Sequence, residues 1–378
     1  MTTSPRTRSR QRLRTPLAER FGVEVPVFAF SYEPAVVAAV SRAGGLGVLG
    51  ALRFTPEELD EALTYLEREL GGRPYGVDIV MPFVSEQVDA ADFGELTEKL
   101  TAMIPAAHRR FVDDVLDRYQ VPDLPPDAPE VRGVLGWTDL SARAQVDVVF
   151  KHRPALLANA LGPPPPDVVE RSHAQGVPVA ALVGTAAQAR KQAAADVDVV
   201  VAQGTEAGGH TGEIATFVLV PEVVDAVAPR PVLAAGGIGR GRQIAAALAL
   251  GAQGVWTGSV WLTTEEHPMS QVLRDKLLAA TSRDTVRSRA MTGKPARQLR
   301  TAWTDAWDDP ESPGPLAMPL QYLLTAEAQR RILAAEQPDL LGMPVGQIVG
   351  AMDAVRPVAA VMEDLITECA DSLDRLCG

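Results

Sequence analysis

Residues 197–213 read VDVVVAQGTEAGGHTGE. The stretch starts as a strand-length apolar run and turns into a loop with four glycines, His210, and the carboxylates Glu206 and Glu213. Continuous apolar runs, unlike alternating ones, belong to strands covered on both faces, the usual condition of parallel sheets. Where such a strand opens into glycine, backbone N–H groups can approach a ligand with no side chain in the way. The stretch therefore predicts a buried parallel strand with a binding loop at its C-terminal end.

The same grammar extends in both directions. Upstream, VPVFAF (25–30), LGVLG (46–50), YGVDIVM (75–81), PALLANAL (154–161) and VPVAALVG (177–184) read as strands; downstream, PVLAAGGI (231–238) and GVWTGSVWL (254–262) do. Helical spacing separates them in PAVVAAVSRAGG (34–45) and near 56–70, 166–175, 185–195, 215–228 and 240–250. VRGVLGW (131–137) reads equally as an extra strand or a packed loop and is not counted. Eight strand–helix units over roughly 250 residues predict an α/β fold, the TIM (β/α)8 barrel. A doubly wound sheet is the weaker alternative, because its nucleotide loop belongs at the first strand rather than the last ones.

The barrel is expected over 21–265, interrupted by an insertion at about 82–138 that follows strand three. That insertion holds helix-like ELTEKLTAMIPAAHRRFVDDVLDRY (95–119) and Pro-rich VPDLPPDAPE (121–130). Residues 266–378 read as a C-terminal helical extension, and residues 1–20, with six Arg and one Glu, as a basic disordered tail. A transit peptide is the other reading of that tail.

Of the 378 residues, 46% are hydrophobic and 22% charged, the balance of a soluble globular protein. No run approaches the roughly eighteen apolar residues of a membrane span, so none is expected. The formal charge of -12 disfavours nucleic acid and anionic membrane as partners. The only cysteines, Cys369 and Cys377, lie at the C-terminus. No disulfide framework and no metal site are expected, and a reducing cytoplasm is the expected compartment.

Three glycine-bearing loops follow the last three strands: GTEAGGHTG (204–212), AAGGIGRG (234–241) and WTGS (256–259). In a TIM barrel these meet at the C-terminal face, where phosphate commonly binds. Glycine backbone, the positive end of the helix after the second loop, and the hydroxyls of Thr257 and Ser259 suit an anion. No Walker lysine and no GxSxG elbow compete with this reading. The four prolines of ALGPPPPD (160–167) make a stiff loop beside the expected site.

Together, AQGTEAGGHTG, AAGGI and LGAQGVWTGSVWL, preceded by PVFAF and AVSRAGGLGVLG, resemble the nitronate monooxygenases, once called 2-nitropropane dioxygenases. The resemblance covers roughly 22–300 and includes TGKPARQLR (292–300), similar to a later family signature. It implies a flavoprotein with non-covalent FMN that oxidises alkyl nitronates with O2 to carbonyl compounds and nitrogen oxides. It places Gly208, Gly209, Gly236, Gly237, Gly258 and Ser259 around the phosphate. Gln203 would lie by the ring or ribityl chain, and Ala29, Phe30 and Ser31 by the ring.

Two departures stand out. Where the family carries Asn at the end of strand three, this chain has Asp78. Where the family places a catalytic His at the end of strand four, the chain has Ala160, with Asn159 beside it. Asp78 and Asn159 are therefore the candidate catalytic residues. Asp78 either exchanges protons or bonds a ribityl hydroxyl. His210 is expected to support its loop or the phosphate, and Glu206 to bond backbone of its own loop. NAD(P)H-dependent enoyl reduction on the same scaffold and an FMN-binding protein with little turnover are the competing functions. Homodimer and monomer both stay open.

Overall fold

The computed structural model describes residues 5–81, 93–126 and 139–377. Eight parallel strands close into a barrel in the order β1 (Val27–Ser31), β2 (Leu46–Gly50), β3 (Tyr75–Ile79), β4 (Leu156–Asn159), β5 (Val179–Val183), β6 (Val199–Gln203), β8 (Val232–Ala235) and β9 (Gly254–Thr257). The barrel closes where Val27 pairs with Val255 and Ala29 with Thr257. The fold is the TIM barrel expected from the strand count.

Side-chain alternation divides each strand between two cores. Phe28, Leu46, Val48, Leu156, Val201 and Trp256 are among the residues that fill the interior. Their neighbours Val27, Ala29, Val200, Ala202 and Val255 face outward and pack beneath the helices. Both faces are apolar, which is why the sequence shows continuous runs rather than alternation.

The basic tail is corrected from residue 5 onward. Pro5–Arg12 and Pro16–Phe21 are helices. The second is capped by Thr15, whose hydroxyl accepts from the Ala18 N–H and donates to the Gln253 carbonyl at 2.7 Å. Leu17 and Phe21 enter the interior core and plug the N-terminal end of the barrel, with Phe21 edge-on to Phe28 at 5.3 Å. The arginines meet carboxylates brought from far along the chain: Arg10 meets Glu24 and Glu363, Arg12 meets Asp374, and Arg20 meets Asp198. Composition alone showed unbalanced charge because the balancing groups are distant in sequence.

The C-terminal region also differs from a helical extension. It contains the antiparallel hairpin β10 (Thr285–Ser288) and β11 (Ala296–Leu299), and β11 pairs with the short β7 (Gly209–His210). The last helix, Val358–Cys377, returns to the barrel. Val358, Met362, Leu365, Ile366 and Cys369 join the outer core beside Val27, Val36 and Ile244, so this helix covers the wall as the barrel's eighth. The chain leaves and returns at one point: Thr264 bridges Arg356, and the Glu266 carboxylate accepts from the Val358 N–H at 2.9 Å.

The intervening residues form a cap with part of the insertion after β3. That insertion carries two helices, Phe93–Ala102 and Ala106–Arg118, separated at Pro105. Ile104, Val112 and Leu116 share a core with Trp303, Trp307 and Ile332 of the excursion. VRGVLGW lies outside the described residues. Among the described residues no helix is long and apolar enough to cross a membrane, and no cluster of His, Cys, Asp and Glu could hold a metal.

Candidate active site

A parallel barrel brings the C-terminal ends of all its strands to one mouth. The arc from β6 to β9 carries the three expected loops. Glu206 turns back on its own segment: its carboxylate accepts from the Thr216 N–H at 2.9 Å and from the Thr216 hydroxyl at 2.8 Å. It thereby serves the N-terminus of helix Thr216–Val227, whose N-cap Ala215 supplies no side chain for the purpose.

The cap closes over the same loops. The Gly346 N–H donates to the Ser259 hydroxyl at 2.8 Å, and the Gln347 N–H to the Glu206 carbonyl at 2.9 Å. Gly208 is a packing glycine, since a Cβ there would meet the Gly346 nitrogen at 2.8 Å. Gly236 and Gly237 hold positive φ, and a Cβ would meet the Thr216 hydroxyl at 2.7 Å and the Glu206 Cβ at 3.2 Å respectively. Gly209 and Gly258 differ, for a Cβ on either would find nothing within 4 Å. These two have open space where a side chain would stand.

One expected anion contact is corrected. The helix after AAGGIGRG, Gly241–Ala249, does not offer a free N-terminus. Its first N–H, on Gly241, already donates to the Glu368 carboxylate at 2.7 Å, while Gly239 and Arg240 donate to the Gln243 side chain at 2.9 Å. The returning C-terminal helix supplies Glu368, which neutralises that helix end.

His210 sits on β7, opposite Ala296 of β11. The two segments GTEAGGHTG and TGKPARQLR, separate signatures in the sequence, thus form one sheet. His210 Nε2 and the Thr292 hydroxyl share a hydrogen bond at 2.8 Å, and the same hydroxyl lies 3.2 Å from the Lys294 carbonyl. The ring is crowded by protein yet keeps contact with solvent. Burial, with help from the Lys294 ammonium, pushes its pKa down to about 4, so it is neutral at pH 7. The ring's one side-chain hydrogen bond goes to Thr292, on the segment that pairs with its own strand. Of its two expected roles, support of the loop is the one the contacts provide.

The arc from β1 to β4 has another character. Asp78 follows Gly76 on the inward face of β3 and is 5% exposed. Its Oδ1 is buried with no hydrogen-bond partner. Burial alone raises its pKa to about 7, with no cation near enough to oppose it. Across the barrel, Gln203 continues the inward alternation of Val199 and Val201, and its amide makes no hydrogen bond among the described residues.

Asn159 is corrected as a catalytic candidate. It lies on the outward alternation with Leu157, is fully buried, and is saturated by backbone. Its Oδ1 accepts from the Met81 N–H at 2.9 Å, and its Nδ2 donates to the Met81 and Gly162 carbonyls at 3.2 and 3.0 Å. It ties the end of β4 to the chain leaving β3. Ala160, one residue on, is exposed at the mouth. The trio on β1 divides as well. Ala29 faces the outer core, and the Ser31 hydroxyl accepts from the Glu33 N–H at 3.0 Å, turning the chain. Phe30 alone of the three packs toward the interior.

Residues that sequence reading missed extend this arc outward. Phe30 meets Tyr32 edge-on at 5.1 Å, and the Arg53 guanidinium lies over the Tyr32 ring at 4.3 Å. No motif flagged Tyr32 or Arg53, which follow β1 and β2 in ordinary turn sequence.

Comparison with known proteins decides the family. A sequence profile of nitronate monooxygenase matches residues 14–368. The chain belongs to the nitronate monooxygenase family. Membership makes it an oxidoreductase of monooxygenase type. It is 55% identical over 373 residues to a Mycobacterium tuberculosis protein bearing the name of a monooxygenase, covering 97% of this chain and 99% of that one. It is 28% identical to a Staphylococcus aureus protein named as a nitronate monooxygenase, covering 93% and 96%. Among solved structures it resembles nitroalkane oxidase from Streptomyces ansochromogenes, with TM-score 0.77, 28% identity and coverage of 95% and 99%. FabK from Thermotoga maritima is also similar, with TM-score 0.73, 28% identity and coverage of 97% and 99%.

Proposed function

We propose that this family member is an FMN-dependent enzyme that oxidises alkyl nitronates with O2. The observation that carries the reading is the pairing of two unlike arcs. On one side of the mouth, open space stands where Gly209 and Gly258 would carry side chains, and the partnerless Asp78 carboxyl lies inside the mouth. The donor set fits the cofactor. Gly209 and Gly258 would hold the phosphate, the Gln203 amide would bond the ring or ribityl chain, and Phe30 would pack against the ring. When bound, FMN supplies the electron-accepting chemistry that no side chain here can provide.

The protein's own part is binding and proton control. An alkyl nitronate is already an anion and needs no base. A neutral nitroalkane must lose a carbon-bound proton, and Ala160 has nothing to accept it. Asp78 is the interior group able to do so. With its pKa near 7 it is an acid below neutrality and an acceptor above it.

The test is the visible spectrum of the purified protein, followed by anaerobic mixing with a pre-formed nitronate, then with NADH and NADPH. Bleaching by the nitronate supports the reading. Bleaching by nicotinamide alone would favour enoyl reduction, the second reading, to which the likeness to FabK points.

A further inference from the structure

The outer wall of the barrel carries an apolar surface that the site does not use. Helix Thr216–Val227 reads TFVLVPEVVDAV, with Thr216, Glu222 and Asp225 its only polar side chains. A wall helix needs one apolar stripe, turned inward. Leu219, Val220, Val223 and Val227 provide it and are buried. Phe217 and Val218 face the other way, 70% and 51% exposed. They occupy the first turn, where a carboxylate would suit both the helix dipole and the solvent. The other strongly exposed large apolar side chains among the described residues, Met103, Leu333 and Leu376, are scattered along the chain, whereas these two are adjacent.

A recess of about 400 Å³ opens beside Phe217, between this helix and helix Gly241–Ala249. Val220, Ile238, Ala246, Leu250 and Ile348 make its walls apolar, and it reaches Glu206 and Gly237 of the glycine loops. A projecting ring beside an apolar recess is a surface that fits a copy of itself. About a two-fold axis, each ring enters the recess of the other copy.

The charges follow the same plan. Helix Thr216–Val227 exposes only acids, Glu222 and Asp225. The far side of the recess exposes Arg240, at the start of helix Gly241–Ala249, and Arg283, next to the recess residue Ser282. None of these four forms an ion pair among the described residues. Arg242, also exposed, is already paired with Glu368. A two-fold contact that seats the rings lays the acidic helix of each copy across the basic side of the other. Two copies of a chain with net charge -12 repel at long range, so local opposite charges must set the orientation in which they meet.

We propose that this face is a homodimer interface, in which Phe217 of each copy fills the recess of the other and Glu222 and Asp225 meet Arg240 and Arg283. A second copy suits it better than an anionic lipid surface, which would accept the apolar pair and repel the two carboxylates beside it. The seated ring braces two of the glycine loops from outside.

Sedimentation equilibrium of the flavin-loaded, full-length protein tests the interface. The wild type is expected to be a dimer at micromolar concentration. Phe217→Asp, at a position already open to solvent, should weaken the dimer on the order of 100-fold. Arg240→Glu with Arg283→Glu should weaken it about tenfold, as should Glu222→Arg with Asp225→Arg. All four changes together should return it to within a few-fold of wild type, because the charges are then exchanged across the contact. A wild type that stays monomeric up to about 100 µM would overturn the proposal. So would a dimer that survives Phe217→Asp, or a fourfold exchange no better than either half. If Phe217→Asp does not fold, the charge exchange decides alone. Co-sedimentation of a monomeric wild type with phosphatidylglycerol–phosphatidylcholine vesicles, lost in Phe217→Asp, would give the face to lipid and overturn the second copy.

Discussion

Along the arc from β6 to β9 the chain meets itself. Gly208 lies against Gly346, Gly236 against Thr216, Gly237 against Glu206, and Ser259 under the Gly346 N–H. Along the arc from β1 to β4 it leaves the buried Asp78 carboxyl without a hydrogen-bond partner. The first arc is a rigid seat whose polar groups are mostly satisfied within the protein, with the Gln203 amide and the space beside Gly209 and Gly258 left open. The second arc stores unsatisfied polarity, which costs stability in the empty protein and is recovered when a ligand arrives. On the function proposed above, the difference gives cofactor retention to one side and substrate chemistry to the other.

Asp78→Asn is the strongest attempt to break that division. It should leave nitronate oxidation within a few-fold of wild type and cut reduction by a freshly dissolved nitroalkane by about 10²–10⁴-fold, read as anaerobic flavin bleaching. Nitroalkane activity of the wild type should rise with pH through about 7, as the carboxyl ionises. Stability should run the other way. A carboxyl whose pKa is higher folded than unfolded binds extra protons in the folded state between about 4 and 7. Its favourable contribution is complete below that window and is lost as pH rises through it. Thermal melts of flavin-free wild type should therefore fall across the window relative to Asp78→Asn. Parallel melts would remove Asp78 from its buried setting.

Gly258→Leu tests the opposite arc. Its surroundings are open, since a Cβ there would meet nothing within 4 Å, so the fold should lose on the order of 1 kcal/mol. FMN affinity should drop on the order of 100-fold, measured by flavin retention on gel filtration and by titration. Gly208→Leu, which would drive a side chain into cap backbone, should instead lower the melting temperature. Full flavin retention in Gly258→Leu would sink the cradle.

His210→Ala should weaken FMN binding by about tenfold through loss of the Thr292 contact, while turnover of flavin-saturated enzyme stays within a few-fold. A 10²-fold loss with flavin fully bound would transfer proton chemistry to this arc and break the comparison. The smallest effect is expected from Ala160→His. Ala160 is exposed at the mouth, so an imidazole has room, and a gain of a few-fold on neutral nitroalkanes would sharpen the role given to Asp78.

The unequal legibility of the two arcs has a physical origin. Close backbone approach admits only glycine, so the packed arc wrote itself into GTEAGGHTG, AAGGI and WTGS, and the buried parallel strands wrote themselves as apolar runs. Which of those glycines face a ligand and which face the cap did not show, because Gly346 and Thr216 are set by folding rather than by local sequence. Asp78 was visible as a departure at a known strand end. Asn159 misled because one residue shifts a side chain from the inner to the outer face. Arg53 and Tyr32 were silent because a stacked cation is made by geometry, with no repeated spacing to mark it. The basic tail was misread for a related reason, as Glu363, Asp374 and Asp198 lie far along the chain from the arginines they meet, the nearest of them 178 residues away.

The neck at Thr264 and Arg356 has a consequence for how the molecule is made. The eighth wall helix is synthesised after all eight strands, and the whole excursion stands between it and β9. On the ribosome, the barrel waits with one flank bare, helices Pro34–Arg42 and Gly241–Ala249 uncovered on that side, until Val358–Cys377 emerges and docks. Those twenty residues are thus a delayed latch. A chain stopped at Arg356 would carry every residue of both arcs and all eight strands, yet leave one flank of the barrel wall without its helix, liable to capture by a chaperone or by a second nascent copy. The excursion begins and ends side by side, but its Gly346 holds Ser259 and its Thr292 meets His210, so exchanging it as a unit would leave barrel closure untouched and alter the β6–β9 arc.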